Sequence, residues 1–415
     1  MFRERLWQVE SPCPQCGGPV VLSESDRLLT CDFCRVRLYV GSNGPLRYCL
    51  TPRHQSVDDL VMVPYWRVRG TRFQSVAASV RNGILDLTRL ACTAPGLPAT
   101  LGVRPQAVKL RFAAASLAGR FLPTNGGAPE APGLPLADGE VSFCDISLAS
   151  TVSIVYLPVR LTSVVLDALV NRRLGTMRAD RWQATVGNGN DVPDPVQFVP
   201  TLCPRCSWQL EGEKNTLVLL CRLCGSAWQA AGRRLEPIGY DVVAASGWTA
   251  DILVPIWQVR ARVTGETLES WADLARFANL PTLVRPEWEA RPLAFRIPAF
   301  PTHPEQFLKL ARVMTLASGP RDDGALVAEV DGRTRIGRVP AGPVTLPASA
   351  LDNAVRALLA DLAQPKRTFF PRLGEIRIDV TGANLVYLPL EAHGTEFLYP
   401  GTAIKLHRKL LRSAE

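Results

Sequence analysis

At 415 residues, with 47% hydrophobic and 20% charged residues, the chain has the composition of an ordinary soluble globular protein and room for two to four domains. Its 34 prolines and 31 glycines predict many turns and a body richer in strands than in long helices. The net charge of +9, spread along the chain and carried mostly by arginine, permits a nucleic-acid partner without indicating one, and the charged first ten residues exclude a signal peptide.

No stretch reaches eighteen uninterrupted apolar residues. The closest, residues 152–170, contains Arg160 and Asp167, so no membrane insertion is expected and a cytoplasmic location follows. In a reducing compartment, paired Cys-x-x-Cys motifs mean metal or redox chemistry rather than a disulfide framework.

The first such pairing opens the chain. Cys13-Pro-Gln-Cys16 and Cys31-Asp-Phe-Cys34 are separated by fourteen residues, enough for a two-stranded hairpin that brings the pairs together. Residues 11–40 are therefore expected to form a ribbon, with strands at 20–22, 28–30 and 36–40 and a turn at Ser23-Glu-Ser-Asp26. Residues 57–183 follow as a strand-rich domain. Its first strand, residues 60–69, has a period of two that puts Trp66 and Val68 on one face and Arg67 and Arg69 on the other, and residues 71–80 are the expected hairpin partner. Residues 107–112 read as another strand and residues 122–140, dense in Pro, Gly and Ala, as a mobile loop. A further strand at 151–158 returns through 164–170. Residues 184–200, centred on Gly187-Asn-Gly-Asn-Asp-Val-Pro-Asp-Pro195, read as a linker.

The programme then repeats. Cys203-Pro-Arg-Cys206 and Cys221-Arg-Leu-Cys224 place a second ribbon at residues 201–230, and a second strand-rich domain follows at 248–415. Its Pro255-Ile-Trp257 matches Pro64-Tyr-Trp66, Asp273-Leu-Ala-Arg-Phe-Ala278 matches Asp86-Leu-Thr-Arg-Leu-Ala91, Arg285-Pro286 matches Arg104-Pro105, and Val386-Tyr-Leu-Pro389 matches Val155-Tyr-Leu-Pro158. The second half is about 40 residues longer, and helices expected at 304–316 and 348–363 mark an insertion near 304–364. The tail at 405–412 reads as a short basic helix or strand end. The expected architecture is an α+β, strand-rich chain of two tandem repeats, each a small ribbon followed by a β-rich domain, with an extra helical insertion in the second.

Eight of the eleven cysteines thus fall into two four-thiolate sets: Cys13, Cys16, Cys31, Cys34 and Cys203, Cys206, Cys221, Cys224. Zn²⁺ prefers four tetrahedral ligands, and two residues between cysteines let one tight turn present both sulfurs to one ion; iron in a rubredoxin-like site is the alternative. A four-cysteine site leaves no open coordination position, so its expected role is structural. These motifs resemble the four-cysteine zinc ribbons of transcription factors, RNA polymerase subunits and many bacterial proteins, over about 30 residues per copy. The resemblance implies either nucleic-acid binding or the holding together of protein assemblies.

Charge separates the two. Ribbon one balances Arg27, Arg35 and Arg37 against Glu24, Asp26 and Asp32, and ribbon two has Arg205, Lys214 and Arg222 against Glu211 and Glu213, before each tetrathiolate site adds about −2. Phosphate contacts need a basic surface that neither ribbon offers. Trp66, Trp257, Tyr156 and Tyr387 read as core anchors rather than stacking platforms, and Cys49, Cys92 and Cys144 as buried small hydrophobes. None of His54, His303, His393 and His407 sits in a catalytic motif. The sequence therefore points to a non-enzymatic zinc protein that acts through protein–protein contacts; a nucleic-acid-associated zinc-ribbon protein and an enzyme whose site leaves no linear motif are the alternatives.

Overall fold

A computed structural model describes residues 7–408, except residues 52–59, 115, 118, 130–133, 233, 244–248, 320–338 and 401. His54 and residues 409–412 of the basic tail lie outside the described residues, as do parts of the segments 122–140 and 304–364. Strands predominate in a mixed α+β chain.

Each half is built on one long antiparallel pair. In the first, Leu60–Val76 pairs with Ser142–Leu161, and Leu46–Leu50 adds to the latter in parallel. In the second, Ile252–Thr264 pairs with Arg377–His393, and Tyr240–Val242 adds in parallel. β-branched and aromatic residues dominate these strands near Trp66 and Trp257, where both faces are covered and the apolar runs become continuous. The registers coincide. Tyr156 lies opposite Pro64 in the first pair, and Tyr387 lies opposite Pro255 in the second. The first pair skips Phe143 and Ser150 and the second skips Thr381; the hydroxyls of Ser150 and Thr381 donate to the carbonyls of Arg69 and Arg260, each at 3.2 Å. Such bulges bend a strand and leave the extra residue out of the ladder.

Several expectations need correction. The strand predicted at 60–69 continues to Val76 and turns at Ala77, whose φ of 52° is left-handed, so its hairpin partner is Ser79–Leu90 and not residues 71–80. In ribbon one, Pro19–Ser23 does not pair with Leu28–Thr30: it pairs with Gln8–Pro12 and joins the large sheet, while Leu28–Thr30 pairs with Arg37–Gly41. The matched hexamers also part company. Asp86 to Ala91 lies at the end of strand Ser79–Leu90, whereas Asp273 to Ala278 spans most of helix Trp271–Phe277. Ser270 caps that helix through a capping box with Asp273, and Ala275 stands where the strand has the β-branched Thr88.

The second long pair consequently lacks a full-length neighbour. Phe295–Pro298 covers Ile256 to Val259, and among the described residues nothing covers residues 260–264 on that edge. Exposed Arg260 and Arg262 stand there, the kind of charge that blunts strand addition.

The expected helices form, as Pro304–Ala317 and Leu351–Leu362. Leu351, Val355, Leu358, Leu359 and Leu362 are fully buried, each contributing about 1.5–3 kcal/mol of apolar burial. Phe73, Ile146 and Leu148 from the far end of the first long pair enter the same cluster, and Asn353 Nδ2 donates to Ser147 O at 3.1 Å. The two halves therefore share a core. Among the described residues no helix is long and apolar enough to cross a membrane.

Candidate metal centres

Four short turns build the two cysteine clusters, and they are alike. In each, the residue after the second cysteine is left-handed: Gly17 (φ 75°), Arg35 (60°), Ser207 (59°) and Gly225 (65°). Its N–H donates to the carbonyl of the first cysteine, at 2.8, 3.0, 2.8 and 2.9 Å, and the first cysteine's N–H returns a bond to Gly18, Val36, Trp208 or Ser226. The turn thus aims both sulfurs the same way.

The sulfurs converge. Cys13 Sγ lies 3.7 Å from Cys34 Sγ and Cys16 Sγ 3.7 Å from Cys31 Sγ, and the equivalent pairs Cys203–Cys224 and Cys206–Cys221 lie at 3.6 and 3.4 Å. Within each cluster the four sulfurs lie inside 4.8 Å of one another. A disulfide would require about 2.05 Å, and all eight cysteines are free thiols. A tetrahedral ion with metal–sulfur bonds of about 2.3 Å separates its thiolates by about 3.8 Å, so both clusters fit a metal ion.

Backbone N–H groups favour the charged form of Cys31 and Cys203, whereas Cys34, against the N–H of Val36, and Cys221 are pushed up to about 12 by burial and by bonds with neighbouring thiols. The N–H groups of Cys34 and Phe33 point at Cys31 and bring its thiol down to about 7 against burial. Burial opposes charge on Cys203, but the Ser226 hydroxyl and the N–H groups of Arg205 and Cys206 bring it down to about 6. Amide–sulfur bonds of this kind orient and charge the ligands that an ion would bridge. The chemistry available is closed tetrathiolate binding, with a structural consequence.

The ribbons are packed against each other. Gln197–Pro200, three residues before Cys203, pairs with Arg37–Gly41 of ribbon one. Lys214 O, at the tip of ribbon two, accepts from Arg27 N (2.6 Å) and Leu28 N (2.9 Å), and Tyr39 Oη donates to Thr216 O at 3.2 Å. Gly41 is required at this seam, because a Cβ there would lie 2.3 Å from Gly232 O.

The tip of ribbon one differs from its sequence reading. Glu24, counted in the charge balance of ribbon one as a turn residue, is fully buried: Arg67 Nη2 and Nε donate to its two oxygens at 2.8 and 3.0 Å, and Arg69 stands 3.5 Å away. Arg67 also pairs with Asp86 and lies over the Trp7 ring, 3.9 Å from its centroid. A charge tally of the tip missed this because the partner sits in a distant strand.

Elsewhere, Trp66, Trp257, Tyr156 and Tyr387 are buried, and Trp257 Nε1 donates to Leu346 O at 2.9 Å. Burial pushes the Cys92 thiol up to about 11 and Cys49 higher still, so neither offers a thiolate at neutral pH. Arg104 pairs with buried Asp167 at 2.6 Å, which gives that carboxylate a structural partner. Both ribbon tips also border a cleft of about 1270 Å³ between the halves. Arg27, Arg69 and Lys214 line it together with Asp26 and Glu213, and Glu24 lies beside Arg69, so its charges cancel and select no ligand class.

No family model, no curated protein and no solved structure matches this chain.

Proposed function

We propose that the chain is a non-enzymatic two-zinc protein, cytoplasmic and internally duplicated, that works as a protein–protein interaction or assembly component. The observation that carries this reading is the surface of the metal ends. Phe33, between Cys31 and Cys34, is 67% exposed; Leu223, at the same place in ribbon two, is 61% exposed, and Trp208, two residues after Cys206, is 54% exposed. The ribbon tips are spent on each other, while the cysteine turns hold rigid apolar side chains in solvent, and aromatic anchors on rigid turns are typical energetic centres of protein interfaces.

Tetrahedral thiolates accept either zinc or iron, and zinc is favoured because the spacing of the cysteine pairs resembles that of structural zinc ribbons. The shared register of the long pairs, the matching bulges at Ser150 and Thr381 and the four like cysteine turns support duplication. Two related apolar ends on one body would let two weak contacts act with avidity on a repeated partner.

Metal analysis of protein purified without chelators tests the first part, with two zinc ions per chain expected. Affinity capture with the wild-type chain and with Phe33→Ser, Trp208→Ser and Leu223→Ser tests the second: proteins retained by wild type and lost from the variants, with zinc content unchanged, support the reading, and equal capture sinks it. One observation favours a nucleic-acid role instead, the exposed arginines Arg260, Arg262 and Arg377 at the uncovered end of the second long pair. Tight binding of short DNA that weakens steeply with salt and is lost in their alanine variants would establish it.

A further inference from the structure

We propose that the two metal clusters are thermodynamically coupled, so that filling one raises the affinity of the other. The proposal rests on the metal reading of both clusters and adds to it that they do not act as independent sites.

The physical basis is a wall with two working faces. In Leu28–Thr30 and Arg37–Gly41 the side chains alternate. Leu29, Leu38 and Val40 point into the cluster that holds Cys13 and Cys31 and continues into the core of the first half. Leu28 and Tyr39 point the other way, into a cluster with Leu210, Leu219, Cys203 and Cys221. The same two short strands therefore support two ligands of each site. Apart from the packing of Leu29, Leu38 and Val40 against the first half, a segment of about thirty residues has only the metal to order it, so a ribbon that loses its ion loosens the strands that face the other ribbon.

Loss of order in ribbon one removes specific supports from site two. The antiparallel partner of Gln197–Pro200 is lost, with the chain that leads into Cys203. Arg37 O, which accepts from Thr201 Oγ1 at 3.0 Å, and Leu28 N, which donates to Lys214 O, go with it. The coupling is reciprocal by linkage: an empty site two leaves Leu28 and Tyr39 facing disordered chain and weakens site one by the same factor.

The test uses the full-length chain loaded with Zn²⁺ or with Co²⁺, whose thiolate absorption reports each site, and a competing chelator. Wild type should release its two ions together over one narrow range of chelator. Cys16→Ser, which disables site one through an exposed ligand, should leave site two giving up its ion at about tenfold lower chelator or less. Gly41→Ala keeps all eight thiolates and wedges a methyl group against Gly232 O; it should still bind two ions but release them in two separate steps. Should Cys16→Ser fail to fold, Gly41→Ala decides alone. A wild-type chain that binds two ions and releases them in two steps, or a site two equally tight in all three proteins, overturns the coupling alone. A wild-type chain that binds no metal overturns the metal reading with it.

Discussion

Asp273 accepts hydrogen bonds from the backbone N–H and the hydroxyl of Ser270, at 2.9 and 2.8 Å, while Ser270 Oγ accepts from the N–H of Asp273 at 3.2 Å. Burial works against the charge on Asp273, but these bonds and a third from Glu269 N outweigh it and hold the carboxyl below its ordinary value of 3.8. A depressed acid adds stability that is complete above its unfolded pKa and disappears as pH falls through the folded one. Asp273→Ala should therefore cost about 1 kcal/mol in urea unfolding at pH 7, and the difference from wild type should shrink below pH ~4. An equal difference at pH 7 and pH 3 would assign the loss to something other than the charged cap.

The buried pair Glu24–Arg67 carries a larger stake. Glu24→Gln leaves the buried Arg67 with the half-exposed Asp86 as its remaining carboxylate among the described residues, so the change should cost about 3 kcal/mol, the low end for a broken buried pair. Because both side chains are hidden from water, with exposures of 0% and 1%, the loss should be nearly independent of salt. Denaturant titrations at low and high ionic strength measure both; a loss under about 1 kcal/mol would mean that water reaches the pair.

The left-handed turns give a matched test of strain. A Cβ on Gly17 would meet no atom within 4 Å, so Gly17→Ala isolates the cost of its φ of 75° and should destabilise ribbon one by about 1–2 kcal/mol. Arg35→Gly relieves the same conformation and should shift stability the other way, by up to about 1 kcal/mol. Thermal unfolding of the metal-loaded chains reads both signs.

At the open edge of the second long pair, Arg260→Val with Arg262→Val should leave thermal unfolding of the monomer within a few tenths of a kcal/mol while producing concentration-dependent association in light scattering. A variant that stays monomeric would show that the edge is protected by something other than these two charges.

The cysteine turns, the Pro-x-Trp strands and the helices Pro304–Ala317 and Leu351–Leu362 were legible in the sequence because spacing and periodicity are local properties of the chain. Other features depend on partners far away. Glu24 reads as a turn acid, and only the position of Arg67, 43 residues on, makes it an internal ion. The docking of one ribbon on the other depends on Leu28 and Tyr39 having a second buried face, which a three-residue strand is too short to announce. The hexamers at Asp86 and Asp273 look alike and differ in fold because the decision lies outside them. A left-handed turn at Ala77 folds the first back along its neighbour, and a serine cap starts a helix in the second.

The order of the strands along the chain also bears on how the protein is made. All four cysteines of the second cluster are present once Cys224 has left the ribosome, its strands follow by Ile238, and its partner ribbon has been synthesised long before. Ile252–Thr264, by contrast, must wait for Arg377–His393, near the end of translation, before its central partner exists. Closing so long a loop is slow and leaves an apolar strand unpaired in the meantime. The long pair of the first half and the joined ribbons are both in place before Arg377–His393 arrives, and together they offer the surface on which the second half closes.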